Sequence, residues 1–148
     1  MKNNAIKVPF FLTYVDSKDI TEIKKAALSP FLTNGPKLDL FEQKFKKFTK
    51  SKYAVGVSNA TAALYLSLKA LGIKKNDEVI IPDLTFAATA NSVLQTGATP
   101  VLADIDEETL NISAESIIKN ISRKTKAIIP VHLAGTPCDM QKIMKIAR

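Results

Sequence analysis

Four runs of this sequence carry their apolar residues in unbroken blocks: YAVGV at Tyr53–Val57, EVIIP at Glu78–Pro82, TPVLAD at Thr99–Asp104 and KAIIPVHL at Lys126–Leu133. A strand with one wet face alternates apolar and polar residues. An unbroken block implies a strand covered on both faces. Helical patterns separate the blocks, predicted over Ala60–Leu71, Thr85–Thr96 and Ser113–Ile121, with a last one over Asp139–Arg148. Gly72 and Gly97 stand where the first two should stop. Strict strand–helix alternation predicts an α/β fold, a mostly parallel sheet with helices on both faces. Ligands of such sheets collect at the carboxyl ends of the strands.

Two further helices are predicted upstream. One spans Lys18–Ser29, with Ser17 as N-cap. The turn Thr33-Asn34-Gly35-Pro36 then places Pro36 at the first position of a helix running to about Lys50. Its apolar positions are Leu38, Phe41, Phe45 and Phe48.

A chain of 148 residues is long enough for one sizeable core. No apolar run approaches the roughly 20 residues that cross a bilayer. The N-terminal segment is too polar for a secretory leader. With one cysteine, Cys138, no internal disulfide can form, and a reducing cytoplasm is the expected compartment. The sequons at Asn59, Asn111 and Asn120 read as chance matches in that setting. The net charge of +7 comes from 19 Lys and only two Arg. The densest patch is Lys44, Lys46, Lys47, Lys50 and Lys52. It reads as a solvated helix face, and no nucleic-acid partner is expected.

Chemistry-bearing residues gather where strands meet helices. Ser58-Asn59-Ala60-Thr61 follows the first block and opens a helix. The first N–H groups of a helix lack internal partners, and its dipole favours an anion there. Small residues with a hydroxyl make this a candidate phosphate cradle. N-capping by Ser58 or Asn59 is the plainer local reading. There is no P-loop and no Gly-x-Gly-x-x-Gly. Phe86 stands at the mouth of the next helix, as a surface for a flat ring or, more simply, as a core residue. His132 is the single histidine, so no His-based metal site is expected. Asp104 and Asp106 look like an acid pair, but a capped turn explains them as well.

The segments TNGPKLDLFEQKF, SNATAALYLSLKALGIKKNDEVIIPDLTFAATANSVLQTGATPVLADIDEETLNI and TKAIIPVHLAGTPCDM occur in this order. Together they closely resemble the DegT/DnrJ/StrS family of pyridoxal-phosphate sugar aminotransferases, over about Leu28–Arg148. The resemblance implies the aspartate-aminotransferase type of fold (fold type I), with residues 1–148 as the N-terminal part of its large domain. It implies that Ala60 and Thr61 bind the cofactor phosphate and that Phe86 stacks on the pyridine ring. Thr33 and Asn34 would lie near the substrate entrance. It further implies a nucleotide-linked keto sugar as substrate, glutamate as amino donor, a homodimer, and a role in amino-sugar and cell-surface polysaccharide synthesis.

The family's Schiff-base lysine, and the acidic residue that pairs with the pyridine nitrogen, lie beyond the segment matching Met140–Arg148. No catalytic residue is therefore expected within the chain, which reads as a truncated large domain, inactive alone. Two alternatives share the same residues: a non-catalytic remnant or partner of a full-length paralogue, and a basic nucleotide-binding α/β module. Unpaired strand edges and uncovered apolar faces are expected to make the chain associate.

Overall fold

The computed structural model describes residue 9 and residues 12–148. They divide into two compact units, the first ending at Gly56 and the second running from Val57 to Arg148.

The first unit holds helices α1 (Ser17–Ala27) and α2 (Pro36–Thr49). The cap of α1 is Asp16 and not Ser17. Asp16 accepts hydrogen bonds from the Lys18 and Asp19 N–H groups, and the Asp16 N–H donates to the Asp19 carboxylate, a closed capping box. A carboxylate accepts two such bonds and favours the positive helix end, which outweighs a single hydroxyl. Pro36 opens α2 as expected. Lys50 closes it in the left-handed region, at φ 55°. Neither helix buries a residue.

Tyr53–Val57 is not a strand. Val55 is 80% exposed, and the Gly56 N–H donates to Glu42 Oε1 at 2.7 Å instead of to a strand. β-forming composition yields a strand only where a neighbouring backbone pairs with it. No described strand does so here.

The second unit carries the α/β alternation: α3 (Ala60–Ala70), β1 (Glu78–Pro82), α4 (Ala88–Gln95), β2 (Thr99–Ala103), α5 (Ala114–Asn120), β3 (Thr125–Ile128) and α6 (Met140–Ile146). The sheet has three strands in the order β2-β1-β3, and both pairings are parallel. Ile80 of β1 faces Val101 on one side and Ile128 on the other.

Central strand β1 explains its own composition. Val79 and Ile81 pack with Leu68 of α3, Val93 of α4, Ile73 and Ala98. Ile80, one residue out of phase, packs on the other face with Ile117 of α5, Ile143 of α6, Ala103 and Cys138. All three are fully buried. Side chains alternate across a strand, so only a strand with helices on both sides needs an apolar residue at each step. Each such side chain contributes about 1.5–3 kcal/mol on burial.

Several elements are shorter than the sequence suggests, among them α6, which spans Met140–Ile146 and not Asp139–Arg148. Helix α4 begins at Ala88 and not Thr85, because residues 83–87 form the link out of β1. Strand β3 ends at Ile128, although the Ile129 N–H still donates to the Ile80 carbonyl. Beyond it, Pro130 lacks the donor that would continue the ladder.

Candidate functional site

The carboxyl ends of the strands carry the connections 83–87, 104–113 and 129–139. Helix α4 leaves the carboxyl end of β1 through residues 83–87, so its N-terminus lies there. The C-terminus of α3 leads through a short turn into the amino end of β1, and α3 packs beside α4. A helix of 11 residues rises about 16 Å, comparable to the strand it accompanies. That returns the N-terminus of α3 to the same edge as that of α4.

At the start of α3 the cap is Asn59, whose Oδ1 accepts from the Ala62 N–H at 2.8 Å. Capping is therefore real, but it engages only the third helical N–H. The Ala60 and Thr61 N–H groups and the Thr61 hydroxyl have no hydrogen-bond partner among the described residues. Ala60 is exposed and Thr61 half-buried. Two backbone donors, a hydroxyl and the positive helix end thus remain open to an anion.

Phe86 is not a core residue: it is 80% exposed. Its carbonyl accepts the Thr89 N–H at 3.0 Å, which fixes the backbone at the helix mouth. Thr85 and Thr89 share a hydroxyl–hydroxyl bond of 2.9 Å at the same helix mouth. An aromatic face held at a strand's carboxyl end and uncovered by the protein is suited to a flat ring.

Residues 131–138 form a loop closed on itself beyond β3. Buried Asn111 reaches into it from the β2–α5 connection. Asn111 Nδ2 donates to the Thr136 carbonyl at 3.0 Å, and Oδ1 accepts from the Leu133 N–H at 3.1 Å. His132 Nδ1 accepts from the Cys138 N–H at 3.0 Å. The Cys138 thiol donates to the Val131 carbonyl at 3.1 Å, and burial pushes that thiol up from its ordinary pKa. Cys138 is therefore a packed core residue and not a nucleophile with His132 as its base. Sequence reasoning missed Asn111 because it showed only as part of a sequon.

The acid pair resolves into a capped turn. Asp106 accepts from the Thr109 N–H and the Thr109 hydroxyl, both at 2.8 Å, and the backbone bond holds its carboxyl below the usual range. Asp104 Oδ1 accepts from the Ile105 N–H at 2.9 Å. A cavity of about 360 Å³ lies beside this turn, lined by Asp106, Asn111, Glu115, Cys138, Asp139 and Lys142 among others. Three of its carboxylates are already engaged locally: Asp106 caps the turn, Glu115 accepts from the Ser113 hydroxyl, and Asp139 accepts from the Lys142 N–H. Among the described residues no group of side chains could hold a metal ion.

Thr33 and Asn34 belong to the first unit and are both exposed. Thr33 lines a hollow of about 250 Å³ with Phe31, Leu32 and Lys37, and Asn34 does not. The lysine-rich stretch after Phe41 is solvated as expected, and Lys52 Nζ rests 5.3 Å from the centre of the Tyr53 ring.

The model of the DegT/DnrJ/EryC1/StrS aminotransferase family matches residues 13–148. The chain belongs to that family. It is 45% identical over 141 residues to the spore coat polysaccharide biosynthesis protein SpsC of Bacillus subtilis, covering 95% of this chain and 36% of SpsC. Among solved structures it is similar to the aminotransferase from Psychrobacter cryohalolentis. That match has a TM-score of 0.86 and 42% identity, over 90% of this chain and 34% of that one. It is similar also to NtdA of Bacillus subtilis, solved with bound cofactor PMP, at a TM-score of 0.87 and 36% identity, over 99% of this chain and 35% of that one. The chain thus spans about a third of the length of these relatives. Its α/β architecture is that of pyridoxal-phosphate-dependent aminotransferases, fold type I. No helix among the described residues is long and apolar enough to cross a membrane.

Proposed function

We propose that these residues form the phosphate- and ring-binding part of an aminotransferase acting on a nucleotide-linked keto sugar, with glutamate as amino donor, in a cytoplasmic homodimer. The observation that carries this reading is the uncommitted start of α3 on the same sheet edge as the exposed Phe86. The residues present suit pyridoxal phosphate. The Ala60 and Thr61 N–H groups and the Thr61 hydroxyl would hold its phosphate, and Phe86 would cover its ring. When bound, that cofactor supplies an electron-withdrawing ring that stabilises negative charge on the carbon exchanging its amino group. The protein's part here is to anchor the phosphate, fix the ring plane and keep water from one ring face. None of the chain's lysines matches the family's Schiff-base lysine, so these 148 residues alone are proposed to be inactive.

Pyridoxamine phosphate tests the cradle, because it carries no aldehyde and cannot attach to stray lysines. Equilibrium dialysis should show binding to the chain. Thr61→Val should weaken it by about 1–2 kcal/mol, the scale of a hydrogen bond to a charged group. Phe86→Ala should weaken it through the lost stacking surface. If both variants bind as tightly as the parent, Ala60, Thr61 and Phe86 are only cap and surface. With pyridoxal phosphate and borohydride, a single stoichiometrically labelled lysine would overturn the proposed inactivity.

A further inference from the structure

His132 is the chain's one histidine and takes no part in the cradle described above. It follows β3 at the carboxyl edge of the sheet, the edge that also carries Phe86 after β1. Its ring is held from behind. Nδ1 accepts the Cys138 N–H at 3.0 Å, so the proton of the neutral ring sits on Nε2. The residue is exposed, and Nε2 has no hydrogen-bond partner among the described residues. The supporting loop is costly to hold. Ala134 sits at φ 50° and Gly135 at φ 85°. Buried Asn111 pins the carbonyl of Thr136 and the N–H of Leu133, and Cys138 ties the loop back to Val131. A non-glycine residue in the left-handed region costs about 1–2 kcal/mol. Residues 131–138 thus combine a left-handed alanine, two side-chain clamps and an oriented imidazole in one loop.

We propose that His132 is a ligand-contacting residue, its Nε2–H donating a hydrogen bond to an oxygen acceptor of the compound bound against Phe86. This rests on the reading of the sheet edge as the cofactor site. The acceptor is a hydroxyl or anionic oxygen, and either the cofactor ring or the sugar nucleotide can supply it.

A single histidine makes the test direct. Ring-¹⁵N-labelled histidine gives one imidazole signal set from the full chain. Without ligand, Nδ1 should show the shift of an unprotonated acceptor and Nε2 that of a protonated donor. Pyridoxamine phosphate is added first, then UDP-glucose as a sugar-nucleotide probe. A shift of Nε2–H in the first step assigns the acceptor to the cofactor, and a shift only in the second assigns it to the sugar nucleotide. His132→Asn keeps an acceptor near the Nδ1 position for the Cys138 N–H but removes the distal donor. It should weaken binding of the responsible probe about fivefold or more while leaving the unfolding midpoint in place, and His132→Gln, which restores a distal N–H, should recover part of the loss.

An Nε2 signal unmoved by either probe overturns the proposal, as does the opposite tautomer. If Thr61→Val and Phe86→Ala weaken pyridoxamine phosphate while His132→Asn binds as the parent does, this inference fails and the cofactor reading stands. If the parent chain binds neither probe, the cofactor reading fails and takes this inference with it.

Discussion

Asn111 uses both ends of its amide on one loop, 4% exposed and with no polar atom left over. A buried amide is stable only when both its donor and its acceptor are matched. Asn111→Ala should strand the Leu133 N–H and the Thr136 carbonyl together. The expected loss is about 2–3 kcal/mol, two hydrogen bonds plus the cost of unpaired partners. Urea unfolding measures it. A loss below about 0.5 kcal/mol, the range of ordinary surface changes, would mean that water replaces the clamp. Residue roles were only partly legible in the sequence. Thr61 and Phe86 stood out because they follow predicted strands. Asn111 did not, because its partners lie more than twenty positions away and no local pattern marks them. The sequence named Cys138 and His132 but could not show that the link between them runs through a backbone N–H.

At the scale of elements, the end of α3 shows what a single glycine decides. The Gly72 N–H donates to the Lys69 carbonyl and the Ile73 N–H to the Leu68 carbonyl, each at 3.0 Å. Gly72 sits between them at φ 79°. This is the Schellman closure, and its apolar contact is present too, since Leu68 and Ile73 share one core cluster. The closure turns the chain into β1. A Cβ at Gly72 would meet nothing within 4 Å. Gly72→Ala therefore isolates the backbone term, and should destabilise by about 1–2 kcal/mol. Thermal unfolding with unchanged ligand binding would support this, and an unchanged midpoint would refute it. The same rule explains which elements could be read in advance. Stops set by Gly72 and Gly97, and the strand at Glu78–Pro82, are written in local chemistry. The Tyr53–Val57 strand depended on a pairing partner, and composition alone does not supply one.

For the whole molecule, the contrast is between a second unit with two buried clusters and a first unit whose helices bury nothing. Phe31, Phe41, Phe45 and Phe48 are each at least half exposed, as are Leu28 and Leu32. Strands β2 and β3 each have one side unpaired among the described residues. Apolar patches and open edges both favour association. A charge of +7 opposes it weakly, since salt screens beyond about 8 Å at physiological strength. The 148-residue chain is expected to elute from size exclusion as concentration-dependent assemblies. Phe45→Glu together with Phe48→Glu should shift it toward monomer. A parent chain that runs as a sharp monomer at all concentrations would contradict this. The fold class was legible because burial on both faces is written along the strands, whereas the fate of the α2 face depends on contacts that no periodicity encodes.

The strand order also sets a sequence of events in time. In β1, Ile80 meets Val101 in β2, while Val79 meets Ala127 in β3, more than twice as far along the chain. Closing the longer loop costs more entropy, about 0.6 kcal/mol for each doubling of length. The α3–β1–α4–β2 half has the shorter closures and can collapse around Val79, Ile81 and Val93 before β3 arrives. Strand β3 then docks on an edge already formed, and only afterwards can the loop carrying His132 be clamped by Asn111. The loop that carries His132 is, on this ordering, the last part of the unit to become rigid.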